Sequence, residues 1–353
     1  MLTIRSLFLL FASSVLVLGA PQQRNRNGNG REKTASQTPQ QQAATVPQGI
    51  SQATDGSTIL DTTVTVNGVD LRFKVSAPAN QFTALTNVTG ARQRPNTAGQ
   101  AGLNVLLHGD GGQSFFDFPN QAVQGNLLGV VILAPSENLL WGQRAGPPSG
   151  LSRDDGAADS LAVRDLIRDV LPQMVAFDPT NIFFTGVSGG ALTLSGFFMP
   201  AHLAEFAGTG VLLMCGALAP QVDVVDAEAF AANTKIHFQS TKDELVSLQG
   251  AIPEAIVAFE NIAAGVGLSA RQIGQLQTVD NTPNGGHCEF DEQGFVSGIQ
   301  LIADNFANIM QGGDGAVQGI DAATVLTSVV GNEDVQFAAA AARKRDVTDS
   351  LLM

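Results

Sequence analysis

The sequence predicts an α/β domain with a mostly parallel central sheet, helices on both faces and an antiparallel hairpin at its start. Three observations carry that prediction. Short apolar runs free of charge recur from Leu103 onward, as expected of strands buried on both faces. Stretches of helical spacing separate them, which implies crossover connections and parallel pairing. Before them, Thr58 to Val66 and Val69 to Ala77 alternate about Asn67-Gly68, a tight-hairpin signal.

Size and charge narrow the reading. The chain has 353 residues, 44% of them hydrophobic, ample for one large core. No internal repeat is visible, so one folded domain is expected, and a monomer. The formal net charge of −13 opposes binding to phosphate backbones and anionic membranes, so no nucleic-acid partner is expected.

The elements follow in order. Arg5, the apolar run Leu7 to Leu18 and the small pair Gly19-Ala20 read as a signal peptide over 1–20, too short for a membrane span, so the protein is expected to be secreted and extracellular. Residues 21–56 are rich in Gln, Asn, Gly, Thr and Ser and read as a disordered polar leader. The folded domain is placed at 57–311. After the hairpin, the loop-like Gln81 to Gln100 contains Asn87-Val88-Thr89, a candidate glycosylation site. Strands are expected at Leu103–Leu107, Leu128–Ala134, Ile182–Thr185, Val211–Cys215, Lys235–Gln239 and Ile273–Val279. Helices are expected at Ala157–Gln173, at Leu245–Ala264 with a break or kink near Pro253, and at Phe295–Met310. Residues 312–353 read as a mobile C-terminal extension whose Lys344-Arg345 could be a dibasic cleavage site, a solvated charge run being the plainer reading.

The chemistry centres on Gly186-Val-Ser188-Gly-Gly190, set between an expected strand and an expected helix. Glycines two before and two after a serine allow a sharp turn that lifts the hydroxyl clear of the backbone. Such a hydroxyl needs an imidazole to take its proton and a carboxylate to orient that imidazole. Of the four histidines, His237 lies inside an expected strand, where a buried structural role is expected, and His202 at an expected exposed helix end, while His287 occupies a loop after the last expected strand, where a base is required. The acid is expected after the Lys235–Gln239 strand; Asp243 is preferred, with Glu244 and then Asp280 as alternatives. His108-Gly-Asp-Gly-Gly112 follows the first core strand, where glycine permits the close backbone approach of an oxyanion hole. The donors expected are Gly189 and either Asp110 or Gly111. Trp141 and Phe115, with Phe116 and Phe118, could wall a substrate site, core packing being the alternative. Two cysteines, Cys215 and Cys288, stand at strand ends on one sheet edge, and a disulfide between them suits an oxidising compartment.

These motifs, in this order, resemble the α/β-hydrolase fold. More narrowly the chain resembles the secreted esterases grouped with polyhydroxyalkanoate depolymerases and feruloyl or acetylxylan esterases. The likeness is carried by Leu106-Leu-His-Gly-Asp110, Val131-Ile-Leu-Ala-Pro135 with Trp141-Gly142, Asp154-Asp155, Asp178-Pro-Thr-Asn-Ile182 and Gly285-Gly-His287. It implies a serine hydrolase acting on carboxylic esters, feruloyl, acetyl or polyester, without metal or organic cofactor. The chain departs from that pattern at Gly189, where a larger residue is usual, at Gln143 to Gly150, and after His287, where Cys288 follows. A hydrolase-fold binding protein without catalysis and a serine peptidase on the same fold are the alternative readings.

Overall fold

The computed structural model describes residues 48–290, apart from 54–55, 114, 116–125, 145–149, 207–208 and 282. The expected signal peptide, the closing helix and the C-terminal extension lie outside the described residues, as does most of the leader.

Among the described residues, nine strands form one sheet. β2 (Thr58–Val66) and β3 (Val69–Ala77) make the expected hairpin, with Val66 paired to Val69. Asn67 and Gly68 both take positive φ, 52° and 76°, which suits the tight turn to the twist of the strands. β1 (Gly49–Gln52) pairs with β2, so one strand of the sheet lies inside the stretch expected to be leader. β4 (Gly102–Leu107), β5 (Leu127–Ile132), β6 (Ile182–Val187), β7 (Gly210–Met214), β8 (Lys235–Gln239) and β9 (Gln277–Asp280) are mutually parallel, in the order β5-β4-β6-β7-β8-β9. β3 pairs antiparallel with β5 and joins the hairpin to them. This is the α/β-hydrolase fold.

The parallel strands feed both faces at once. Leu103, Val105, Leu107 and Phe184 enter the larger core cluster, while Leu106, Phe183 and Val187 enter a smaller one on the other side. Alternation of successive side chains across a strand turns an unbroken apolar run into two cores.

Two helices end their regular hydrogen bonding just before a proline. α1 (Gly156–Asp165) widens into a π turn at Leu166–Val170, ahead of Pro172. α2 (Gly189–Thr193) does the same at Leu194–Phe198, ahead of Pro200. The wider turn makes room for a residue that lacks an N–H and crowds the preceding carbonyls. α3 (Ala227–Asn233) precedes β8, and α4 (Val246–Gly265) runs on through Pro253 without a break.

One expected element is corrected. Ile273–Val279 is not a single strand: α5 (Ala270–Leu276) occupies its first half, and β9 begins only at Gln277. Ser269 and Gln272 form a reciprocal capping box, which satisfies the first orphan amides and starts a helix where the apolar residues alone suggest a strand.

Candidate active site

The carboxyl ends of β4, β6, β7, β8 and β9 meet on one edge of the sheet, where open α/β sheets place their ligands. Each delivers one component.

β6 delivers Ser188. Its backbone is held at φ 49° and ψ −116°, a strained conformation for a residue with a side chain. Its amide donates to Met214 O at 2.8 Å. A Cβ at Gly186 would stand 2.6 Å from Ala191 Cα, and one at Gly190 would strike the carbonyls of Leu107 and His108. Those two glycines let α2 dock directly against β4 and β6, which forces the turn.

The loop after β9 delivers His287, whose Nε2 lies 2.9 Å from Ser188 Oγ. Its Nδ1 bonds Glu244 Oε1. A carboxylate can only accept, so Nδ1 carries the hydrogen and Nε2 is left to accept from the serine hydroxyl. Cross-loop bonds keep the two segments in register: Thr241 Oγ1 donates to Gly286 O at 2.9 Å, and Lys242 N to Pro283 O at 2.9 Å.

Of the two neighbouring candidates for the acid, the structure sets the alternative, Glu244, and not the preferred Asp243, against His287. Asp243 is exposed and makes no hydrogen bond or ion pair among the described residues, whereas the Glu244 side chain is fully buried. Adjacent residues in a loop point different ways, and only the longer side chain starts from the backbone position that faces His287. Leu245 N donates to the same Oε1 at 2.7 Å, and Gln249 Nε2 holds the Glu244 carbonyl at 2.8 Å. Asp280 is buried elsewhere in the site wall, bonded by Gln239 Nε2.

β4 delivers the glycine-rich loop. His108 is fully buried, and its Nε2 accepts from Ala134 N at 2.8 Å while Nδ1 donates to Gly109 O at 2.6 Å. Burial holds its pKa down to about 4, only partly offset by the Gly109 carbonyl, so this imidazole is a neutral strut between the loop and the end of β5. Gly111 is corrected as an oxyanion donor: its N–H donates to Leu139 O at 3.1 Å and is not available. The backbone amides of Gly189 and Asp110 have no hydrogen-bond partner among the described residues. Gly189 opens α2, so its N–H is one of the orphan donors at the positive end of a helix.

Asp110 also brings a carboxylate into the site. Arg153 Nη2, on a side chain only 3% exposed, donates to Asp110 Oδ2 at 2.7 Å. Desolvation raises the Asp110 pKa, opposed by Arg153, by nearby His287 and by the Trp141 amide. Nothing in the sequence marked Arg153, since its partner lies on the far side of a long loop.

Cys215, just past β7, and Cys288, beside His287, are joined by a disulfide with Cα atoms 5.3 Å apart. Their sulfurs and the His287 ring lie within 4.8 Å of one another, but bonded sulfurs cannot serve as thiolate ligands. Both aromatic substrate candidates are corrected to core. Phe115 is fully buried beneath Lys74, whose ammonium stands 4.4 Å from the ring centroid and donates to the Phe115 carbonyl at 2.7 Å. Trp141 is equally buried, its ring centroid 5.5 Å from that of His108. Phe116 and Phe118 lie outside the described residues. Asn87 is exposed, in a left-handed conformation after a short 3-10 turn. His237 is buried between Thr278 and Gln239, a structural role as expected, and His202 is mostly buried against Phe198 and Glu205.

No family model matches the chain and no curated protein matches it. Solved structures do resemble it. A candidate dienelactone hydrolase from Klebsiella pneumoniae is 11% identical, with 70% of this chain and 98% of that one covered and a TM-score of 0.45. The feruloyl esterase module of Clostridium thermocellum, in complex with sinapinate, is 13% identical over 72% and 88%, with a TM-score of 0.42. LpqC, a poly(3-hydroxybutyrate) depolymerase from Bordetella parapertussis, is 14% identical over 74% and 90%, with a TM-score of 0.42. At these values the likeness carries no argument about activity, which has to come from the site itself.

Proposed function

We propose that this protein is a secreted serine esterase that hydrolyses carboxylic esters through an acyl-enzyme. The observation that carries the reading is the continuous chain from Ser188 Oγ through His287 to the buried Glu244 carboxylate. Ser188 Oγ attacks the ester carbonyl and its proton passes to His287 Nε2. The resulting oxyanion lies against the amides of Gly189 and Asp110, two preorganised donors. Collapse breaks the bond to the alkoxide, which takes the proton back from His287 and departs as the alcohol. Water, deprotonated by His287, then releases the acid and restores Ser188. Glu244 fixes the imidazole tautomer and stabilises its charged form.

The substrate class follows from the resemblance of the motifs: feruloyl or acetyl esters of plant polysaccharides, or a polyester. Export is supported by the N-terminal charge-and-apolar pattern and by the Cys215–Cys288 bridge. Among the described residues no helix is long and apolar enough to cross a membrane.

Hydrolysis of short- and long-chain p-nitrophenyl esters and methyl ferulate, wild type beside Ser188→Ala, tests the reading. The variant should lose nearly all turnover, about six orders of magnitude at most. A wild type silent on every ester, or an equally active variant, overturns it in favour of a binding protein.

A further inference from the structure

Acyl transfer through Ser188, His287 and Glu244 uses the backbone of Asp110 but not its carboxylate. That carboxylate nevertheless sits beside the nucleophile. Gly109 lies against the nucleophile, a Cβ there standing in ordinary contact 3.4 Å from Ser188 Cβ, and the next side chain, Asp110, turns back over Gly189. A Cβ at 189 would fall on Asp110 Oδ1. The carboxylate therefore fills the volume that the side chain following the nucleophile would otherwise occupy. This gives a physical reason for glycine at 189, where the resemblance leads one to expect a larger residue.

A bare negative charge there would oppose the oxyanion. Arg153 removes that problem: Nη2 pairs with Oδ2 at 2.7 Å, while Nη1 reaches the Ser152 carbonyl at 3.1 Å. The pair is net neutral, and about a third of the Asp110 side chain remains exposed. Oδ2 is engaged by Arg153, the Trp141 amide also donates to the carboxylate, and Oδ1 faces Gly189 with the side chain still a third exposed. An ion-paired carboxylate is a strong hydrogen-bond acceptor that carries no demand for a cation. It complements a neutral donor and leaves a donor-free group of similar size with an unsatisfied acceptor opposite it.

We propose that Asp110 is a specificity-determining residue whose carboxylate accepts a hydrogen bond from a hydroxyl or amide N–H on the acyl chain, within two carbons of the ester carbonyl. The proximity follows because the same residue's amide is an oxyanion donor in the esterase reading, on which this inference rests. Substrates are then acyl groups substituted with a donor near the carbonyl, rather than plain alkanoates.

The test compares p-nitrophenyl esters of 2- and 3-hydroxybutyrate with their fluoro counterparts, which are close in size and electron-withdrawing but lack the donor. For wild type, kcat/KM should favour the better-placed hydroxyl ester by about tenfold or more. Asp110→Ala should bring the hydroxy-to-fluoro ratio to near one. Asp110→Ala with Arg153→Met should do the same without stranding a buried guanidinium, and Gly189→Ala should lower the ratio by displacing the carboxylate. Because each variant is read as a ratio, any general loss of turnover cancels. A wild-type ratio near one for both positions, or a ratio that survives the Asp110 substitutions, overturns the inference and leaves the esterase reading standing. A wild type silent on all four esters and on the plain ones overturns both.

Discussion

Replacing Glu244 with Gln tests the acid that the geometry selects. The Glu244 side chain is fully buried; Oε1 receives both His287 Nδ1 and Leu245 N, and Oε2 is buried without a hydrogen-bond partner. Glutamine keeps the shape, and its carbonyl oxygen can accept from both donors, so the imidazole tautomer can survive. What is lost, in the proposed reaction, is the charge that faces the imidazolium formed when Ser188 gives up its proton. Two unit charges about 4 Å apart at an effective dielectric constant of about 20 interact by about 4 kcal/mol, close to a thousandfold in rate. If the amide turns its NH2 towards His287 instead, the tautomer is wrong and the loss approaches ten-thousandfold. We therefore expect kcat/KM on p-nitrophenyl butyrate to fall about 10³- to 10⁴-fold in Glu244→Gln, with KM little changed. Asp243→Asn, at an exposed position, should stay within about twofold of wild type. Steady-state rates alongside thermal unfolding of each variant would decide. A Glu244→Gln enzyme within tenfold of wild type, or a thousandfold loss in Asp243→Asn, would refute the assignment.

Two further outcomes follow from the supports of the site. His108 has a folded pKa of about 4 against about 6.5 when unfolded. As pH falls the unfolded chain takes up that proton first, so the stability this group contributes is complete above about pH 6.5. It is lost towards pH 4, by about 3 kcal/mol at most. Urea denaturation between pH 4 and 7 should show a shallower acid loss in His108→Gln than in wild type; buried His237, also lowered by desolvation, contributes equally to both, and identical slopes would contradict the assignment. The Cys215–Cys288 bridge closes a loop of 73 residues, and removing it with the Cys215→Ser/Cys288→Ser double variant should cost about 4 kcal/mol in the loop-entropy model. It should also lower kcat by freeing the His287 loop, and a double variant with unchanged melting temperature would count against a stabilising role for the bridge.

Much of the molecule was legible in the residues because its signals are local. The hairpin about Asn67-Gly68 appears at the expected positions because a left-handed turn demands those residue types wherever it occurs. The continuous apolar strands announce a sheet covered on both faces. Gly186 and Gly190 betray the elbow because they flank the serine at the spacing a sharp strand-to-helix turn requires, although the atoms a Cβ at Gly190 would strike belong to Leu107 and His108, far away in sequence. Order along the chain then places Ser188 and His287 at the carboxyl ends of β6 and β9, on the same edge.

What only the tertiary structure decided are choices between chemically similar neighbours. Asp243 and Glu244 differ by one methylene and one position, and which of them faces His287 depends on a loop path set by bonds to a segment some forty residues away. Gly111 has the right freedom for an oxyanion donor, yet its amide is spent on Leu139, a partner that spacing cannot reveal. Trp141 and Phe115 are apolar enough for a binding wall and for a core, and only packing distinguishes the two. The strand expected from Ile273 yields to a helix once Ser269 and Gln272 satisfy each other. Sequence by itself determined the hairpin, the order of the main parallel strands and the candidate residue types, because those follow from steric and hydrophobic rules acting over a few residues. Which donors remain free, which carboxylate is buried and how Arg153 meets Asp110 depend on contacts between segments distant along the chain, and only the assembled fold could set them.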